Sequence, residues 1–213
     1  MSFDAVAPWY RTLETIAFGN ALQRARTACL DAIGSPRRAL IVGEGNGRFL
    51  AALLQQHPLT RIDCVDSSER MIELARGHVL RTVPNEMSRV AFFRQDVTSL
   101  APNDRYDLIV THFLLDCFST QQVGSIVARL AQAAAPNAIW LLADFRVPET
   151  GFARIHARVW LAAMYWFFRS VARIDARELV DPSPFLRAEG FTLERQQLFR
   201  FGMLKSESWR RQL

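Results

Sequence analysis

An α/β fold, with a mainly parallel sheet covered by helices on both faces, follows from three features of the sequence. Helical and strand-like segments alternate along most of the chain. The strand-like segments are short, nearly continuous apolar runs, as expected where both faces of a strand are buried. A glycine-rich turn joins the first such run to a helix, the arrangement that open α/β sheets use to approach a ligand with their backbone. At 213 residues the chain suits one domain, 1–213, with room for a modest insertion.

The elements follow in order. Asn20 is expected to cap a helix over Ala21–Ile33, which Gly34 ends. Arg38–Val42 reads as a buried strand stopping at Gly43, and Arg48–Gln56 as a helix closed before Pro58. Arg61–Val65 is a second strand ending at Asp66, after which Ser67 or Ser68 can cap a helix over Glu69–Leu80. Val90–Arg94 and Tyr106–Thr111 are the third and fourth strands. Gln121–Ala134 reads as a helix broken by Pro136-Asn137, and Ala138–Phe145 as the fifth strand. Gly151 to about Arg173 is a long, aromatic helical stretch. Ser183–Glu189 reads as a short helix stopped by Gly190. Phe191–Phe199 alternates like a strand, and Gly202 can turn the chain into a last strand over Met203–Trp209. Strands joined so tightly must run antiparallel. Trp209-Arg210-Arg211 reads as a solvated end.

Half of the residues are apolar and 22% are charged, an ordinary globular balance able to bury a core. The net charge of +5 is mild, and no block of like charges forms a nucleic-acid-binding arm. Cys29, Cys64 and Cys117 form no Cys-x-x-Cys pair, so neither a zinc site nor a disulfide framework is expected, and a reducing, cytoplasmic setting fits. Met1–Arg11 lacks a basic region followed by an apolar one, so no signal peptide is expected. The longest apolar run, Val159–Phe168, is too short to span a bilayer as a helix.

The chemistry concentrates at Gly43-Glu44-Gly45-Asn46-Gly47. Dinucleotide enzymes want Gly-x-Gly-x-x-Gly, with pyrophosphate on the helix N-terminus. Here the third glycine comes one position early, and Glu44 places a carboxylate beside the turn. Pyrophosphate would be repelled by that carboxylate, whereas a ligand carrying a sulfonium and an ammonium group would not. Asp66 ends the second strand, where a carboxylate can accept both hydroxyls of a ribose. Asp96 ends the third, where it can accept from an adenine amine.

This ordered set resembles the class I S-adenosylmethionine (SAM)-dependent methyltransferases, with the likeness strongest over Arg37–Phe145. Gly43–Gly47 resembles their first motif, usually Asp/Glu/Gly-x-Gly-x-Gly. Cys64–Met71 resembles the second, including a methionine over the adenine, and Gln95-Asp96-Val97 the adenine-binding segment. The resemblance implies a Rossmann-like seven-stranded sheet in the order 3-2-1-4-5-7-6 with strand 7 antiparallel. It implies an N-terminal helical cap at 1–36, a SAM-binding core at 37–145, a helical insertion or lid at 146–190 and a hairpin at 191–213. The implied cofactor contacts are Tyr10, Gly43, Glu44, Gly45, Gly47, Asp66, Ser67, Met71, Asp96, Val97, Thr111 and His112. Asp-Phe-x-x-Pro at Asp144–Pro148 resembles the quinone-biosynthesis type more loosely.

A sulfonium methyl is already activated, so the enzyme needs alignment and exclusion of water, plus a base only if the acceptor loses a proton. His112 is the best base candidate, expected to titrate near neutrality, and Asp116 can orient it. Either can instead be part of a pocket wall, and Cys117 reads as packing. His57 and His78 read as structural. The turn after strand four has neither Asn/Asp-Pro-Pro-Tyr nor Pro-Cys, so it does not resemble the DNA-methylating types. The aromatic insertion can roof an apolar or aromatic acceptor with His156, Trp160 and Tyr165, and with Arg154. It can also face a second copy or lie on a membrane surface. A non-catalytic SAM-binding protein and a nucleotide-dependent oxidoreductase remain the alternatives.

Overall fold

The computed structural model describes residues 18–100, 105–151, 154–155, 157–160 and 179–212. The first described helix, α1 (Ala21–Thr27), is shorter than expected, and a separate 3-10 turn follows at Leu30–Ala32. Asn20 makes no side-chain cap bond, because it follows the left-handed Gly19 with a backbone near φ −90°, ψ 3°, far from the extended geometry a cap needs. Gly34, at φ +64°, ends the turn.

From there the chain alternates as expected: β1 (Arg38–Val42), α2 (Arg48–Gln56), β2 (Arg61–Asp66), α3 (Glu69–Thr82), β3 (Val90–Arg94), β4 (Tyr106–His112), α4 (Thr120–Gln132), β5 (Ala134–Phe145), α5 (Ser183–Ala188), β6 (Phe191–Phe199) and β7 (Leu204–Arg211). Ser68 caps α3 by accepting from the Met71 amide at 3.2 Å. Ser119 and Gln122 close a capping box on α4. β5 starts four residues earlier than expected. Pro136 and Asn137 do not end a helix but lie in a bulge within the strand, where the pairing jumps from Tyr106–Ala134 to Leu108–Ile139 and Asn137 takes φ +61°.

The seven strands lie in the order β3-β2-β1-β4-β5-β7-β6. β1 to β5 pair in parallel, whereas β7 runs antiparallel to both β5 and β6. The order reverses direction between β1 and β4, the kind of point at which open sheets bind ligands beyond the strands' carboxyl ends. Each sheet face carries its own core. Ala39, Ile41, Leu108 and Val110 meet Phe49, Leu50, Leu53 and Leu54 of α2. On the other face, Leu40, Val42, Ile109, Trp140 and Leu142 meet α4 through Val123, Ile126, Val127 and Leu130. Strands buried on both faces explain the continuous apolar runs.

The C-terminus departs from the sequence reading. Trp209 is fully buried, in register with Trp140 across β5 and β7, and its indole donates to Glu207 at 3.0 Å. Arg211 donates to the carbonyls of Ala131 and Ala134. The end is not solvated, because β7 is interior to the sheet, with β5 on one side and β6 on the other. No described helix is long and apolar enough to cross a membrane.

Candidate active site

Along the carboxyl edge of the sheet, the first station is the glycine turn. Gly43, Gly45 and Gly47 take φ of +70°, +73° and +82°, a region costly for residues with a Cβ. A Cβ on Gly43 would lie 2.9 Å from the Leu114 side chain, so the turn after β1 is pressed against the loop after β4. Gly47 answers a different need. A Cβ there would meet the Ala75 backbone at 2.7 Å, so this glycine lets α2 and α3 approach closely and faces the helix pair.

Glu44 is buried beneath the turn, and its Oε1 accepts from the Leu50 amide at 2.9 Å. It thereby satisfies a donor of the first turn of α2. Burial pushes its carboxyl up to about 7, opposed by hydrogen bonds from the Leu50 and Phe49 amides and by the Arg26 guanidinium.

The next two strands each end in a carboxylate held by its own turn. Asp66 is half-buried, and its Oδ1 accepts from the Ser68 amide at 2.9 Å. Asp96 caps the 3-10 turn Val97–Ser99, its Oδ1 accepting from the Thr98 amide at 2.8 Å and the Thr98 hydroxyl at 2.7 Å. Partial burial works against ionisation here, but the Thr98 bonds win and hold Asp96 below the usual carboxylate range. Ser67 is half-buried, whereas Met71 and Val97 are buried.

On the other side of the turn, β4 ends in Thr111 and His112. The Thr111 hydroxyl accepts from the Trp140 indole at 2.8 Å, on the α4 face. His112 points to the opposite face, where its ring meets Phe49 edge-on with centroids 4.5 Å apart. It is 6% exposed, and its Nδ1 has no hydrogen-bond partner among the described residues. Burial, reinforced by the Arg26 charge, holds His112 well below the ordinary histidine range. The expectation that it titrates near neutrality is therefore corrected: the ring is neutral at pH 7 and accepts protons weakly.

Asp116 lies on the α4 side in the turn Leu115–Cys117, buried, with the Cys117 thiol 3.7 Å from its Oδ1. It does not orient His112, whose ring packs on the other face. Its electrostatic neighbour is Asp144 at the end of β5, fully buried, with Oδ1 accepting from the Phe145 amide and Oδ2 unpartnered among the described residues. Burial pushes both carboxyls up, and repulsion from Asp116 adds to the rise at Asp144. Lys205, the chain's single lysine, stands opposite Asp144 in β7 and pairs with Asp181 at 3.0 Å and Glu207 at 3.2 Å.

Past β4 and β5 the edge becomes aromatic. Phe113, in the left-handed region at φ +52°, packs on Phe145 at 5.2 Å between centroids. Phe145 packs on Phe18 at 5.5 Å, and Phe18 on Trp160 at 5.6 Å. Trp160, expected at the acceptor pocket, therefore joins the wall at the ends of β4 and β5. Arg154 is exposed and donates to the Glu149 carbonyl. Tyr10, His156 and Tyr165 lie outside the described residues. His57 faces the Leu30 carbonyl at 3.3 Å, far from this edge in the fold.

Sequence reasoning missed three contributors: Phe18, Asp144 as a buried polar group, and Arg26. Arg26 is 5% exposed, with its guanidinium 5.2 Å from the Phe113 ring centroid. A signal for it existed. Leu22, Ala25, Arg26 and Cys29 fall at helical spacing, so an arginine interrupts the apolar stripe.

A methyltransferase-domain family model matches residues 40–140, which span this edge from β1 into β5. Over this stretch, and in its strand order, the chain is similar to class I SAM-dependent methyltransferases. The chain is 30% identical over 155 residues to a malonyl-[acyl-carrier protein] O-methyltransferase of Halalkalibacterium halodurans, covering 71% of this chain and 52% of that protein. The chain thus spans about half the length of this relative. Among solved structures, the 1,6-didemethyltoxoflavin-N1-methyltransferase of Burkholderia thailandensis, bound to its substrate and S-adenosylhomocysteine, is 20% identical with a TM-score of 0.67, covering 98% of this chain and 85% of that one. The N-methyltransferase NodS of Bradyrhizobium japonicum is 16% identical with a TM-score of 0.61, covering 97% and 98%. These two likenesses concern the fold. The residues at the edge are compatible with SAM: a positive-φ turn that a ligand can approach, and carboxylates at adjacent strand ends that can accept hydrogen bonds.

Proposed function

We propose that this chain transfers the methyl group of SAM to a small apolar or aromatic acceptor by direct in-line displacement. The observation that carries the reading is the division of the sheet's carboxyl edge. Asp96, Asp66 and the glycine turn stand at the ends of β3, β2 and β1, and an aromatic wall of Phe113, Phe145, Phe18 and Trp160 stands beyond β4 and β5.

When bound, SAM supplies a methyl on a sulfonium that leaves as a neutral thioether, so no covalent enzyme intermediate is required. Asp66 would accept from the ribose hydroxyls and Asp96 from the adenine amine, each carboxylate preset by its own turn. Gly43 and Gly45 let the backbone come close to the amino-acid end. The aromatic wall would hold the acceptor in line and exclude water. A neutral, buried His112 is better suited to hydrogen bonding than to general-base catalysis. Three free, buried cysteines support a reducing, cytoplasmic setting.

The test is a methyl-transfer screen with labelled SAM over phenols, quinols, amines and carboxylic acids. Turnover of an apolar or aromatic member is expected. SAM binding without turnover would favour a non-catalytic binding protein. Binding of NADH but not SAM would overturn the cofactor assignment.

A further inference from the structure

Beyond β5 and at the tip of the β6–β7 hairpin, apolar side chains face water beside arginines. The helical residues at 154–155 and 157–160 divide into two faces. Ala157 and Trp160 turn inward, Ala157 fully buried and Trp160 half-buried. Arg154, Ile155, Arg158 and Val159 turn outward, with Ile155 64% and Val159 66% exposed. The two arginines and the two aliphatic residues are each spaced i, i+4, so an apolar stripe runs beside a basic one. At the hairpin tip Phe201 is 87% exposed. Arg200 and Phe201 both take the left-handed region, at φ +51° and +56°, where turns favour asparagine and glycine. Neither packing nor backbone conformation favours a phenylalanine at that position.

The two segments are neighbours. The Arg146 amide donates to the Met203 carbonyl at 2.8 Å, and a Cβ on Gly202 would lie 3.5 Å from the Arg146 guanidinium and 3.7 Å from Pro148. The Arg200 guanidinium lies 6.0 Å from the Phe18 ring centroid, and Trp160 packs on that same ring at 5.6 Å. Scattered singly, exposed apolar side chains are ordinary; gathered in one region they mark an interaction surface. Residues 146–160 and 199–202 hold Arg146, Arg154, Arg158 and Arg200 against Glu149 as the one acid. A second copy of this chain fits that charge poorly, because a two-fold interface brings the same patch together and sets these arginines against themselves. The boundary of an anionic bilayer offers acyl chains and phosphates in adjoining layers, and a face carrying both aliphatic and basic side chains complements it.

We propose that this face seats the chain on an anionic lipid surface, with Ile155, Val159 and Phe201 at the acyl boundary and Arg154, Arg158 and Arg200 among the headgroup phosphates. The contact is peripheral, since no described helix is long and apolar enough to cross a membrane. Phe18 and Trp160, which join the two segments, also belong to the aromatic wall, so the acceptor side of the sheet edge lies beside the lipid. An apolar acceptor dissolved in the bilayer then has a short path to that wall. This last consequence rests on the methyl-transfer reading, whereas the lipid contact does not.

Co-sedimentation of the full chain with vesicles, in the absence of SAM, tests this. Vesicles of equal parts phosphatidylglycerol and phosphatidylcholine should take up the chain at least about 10-fold better than phosphatidylcholine alone, and added salt should weaken the uptake. R154Q/R158Q should weaken it by about 20-fold, since each arginine near an anionic surface is worth roughly 5-fold. F201N, which keeps every charge and suits the left-handed turn, should weaken it by about 10-fold while leaving the denaturation midpoint no lower than that of wild type. Equal uptake by both kinds of vesicle, or uptake by neither, would overturn the proposal. Full uptake by F201N would reduce the contact to charge alone, and full uptake by R154Q/R158Q would remove its anionic partner; either result overturns it too. A wild-type dimer in lipid-free sedimentation that F201N dissociates would overturn it in favour of a second copy. All of these readings are taken without cofactor, so they stand apart from the fate of the SAM assignment.

Discussion

The two halves of the sheet's carboxyl edge hold their acids in opposite ways. On the β2–β3 side, Asp66 and Asp96 are half-buried, and backbone amides two residues ahead fix each carboxylate. Asp96 is held in its ionised form. On the β1–β4–β5 side, Glu44, Asp116 and Asp144 are buried, and burial drives all three carboxyls toward the neutral form. The same residue types thus serve different ends. Half-buried, turn-held acids suit hydrogen bonding to the neutral hydroxyls and amine of an adenosine. Buried acids of raised pKa store unfavourable desolvation that an incoming cation, or a proton, relieves.

The contrast can be broken most severely at the hinge between the halves. Gly47→Ala should destabilise the fold by about 3–4 kcal/mol, because the new Cβ meets the Ala75 backbone at 2.7 Å and the residue stays at φ +82°. A drop of that size in chemical-denaturation stability is the check, and an unchanged midpoint would contradict the packing role.

Glu44 sharpens the contrast through pH. Its folded pKa, about 7, lies above the ordinary 4.5, so the folded state binds the extra proton between those values. Stability should fall as pH rises from about 4.5 to 7, by on the order of 3 kcal/mol from this group, and level off above. Glu44→Gln, whose amide oxygen can still accept from Leu50, should remove Glu44's share of that slope and leave the share of Asp116 and Asp144. Denaturation at a series of pH values reads it directly. S-adenosylhomocysteine, whose ammonium favours ionised Glu44, should bind more tightly in wild type as pH passes through 7, a trend absent from the glutamine variant.

On the adenosine side the effects fall on binding. Asp66→Ala should weaken S-adenosylhomocysteine by about 100-fold, since two ribose hydroxyls lose a charged acceptor. Asp96→Ala should cost about 5- to 10-fold, the worth of one such bond. Comparable losses at both positions would mean that the two carboxylates do not divide ribose and adenine between them.

How legible each half was follows from the same contrast. Asp66, Asp96 and the glycines announce themselves because short-range chemistry places them: an acid ending a strand, a glycine where the backbone turns left-handed. α2 and β6 fall on the residues expected for them, since their apolar periodicity is unambiguous. What long-range packing decides stayed hidden. Nothing local says that His112 turns toward Phe49 while Asp116 lies on the other face, so the two cannot act as a pair. The burial of Trp209 depends on β7 entering between β5 and β6. Asp144 reads as part of a strand-end motif, and only the fold brings it beside Asp116 and opposite Lys205.

The central claim is that one ligand lies across both halves, adenosine over β2 and β3 and amino-acid tail over β1 and β4. A crystal structure of the chain grown with S-adenosylhomocysteine tests it most directly. The account predicts the ribose hydroxyls on Asp66, the adenine amine at Asp96 and the tail against Gly43–Gly45. Density for the ligand at any other place, or with adenine over the β4–β5 aromatic wall, would contradict it.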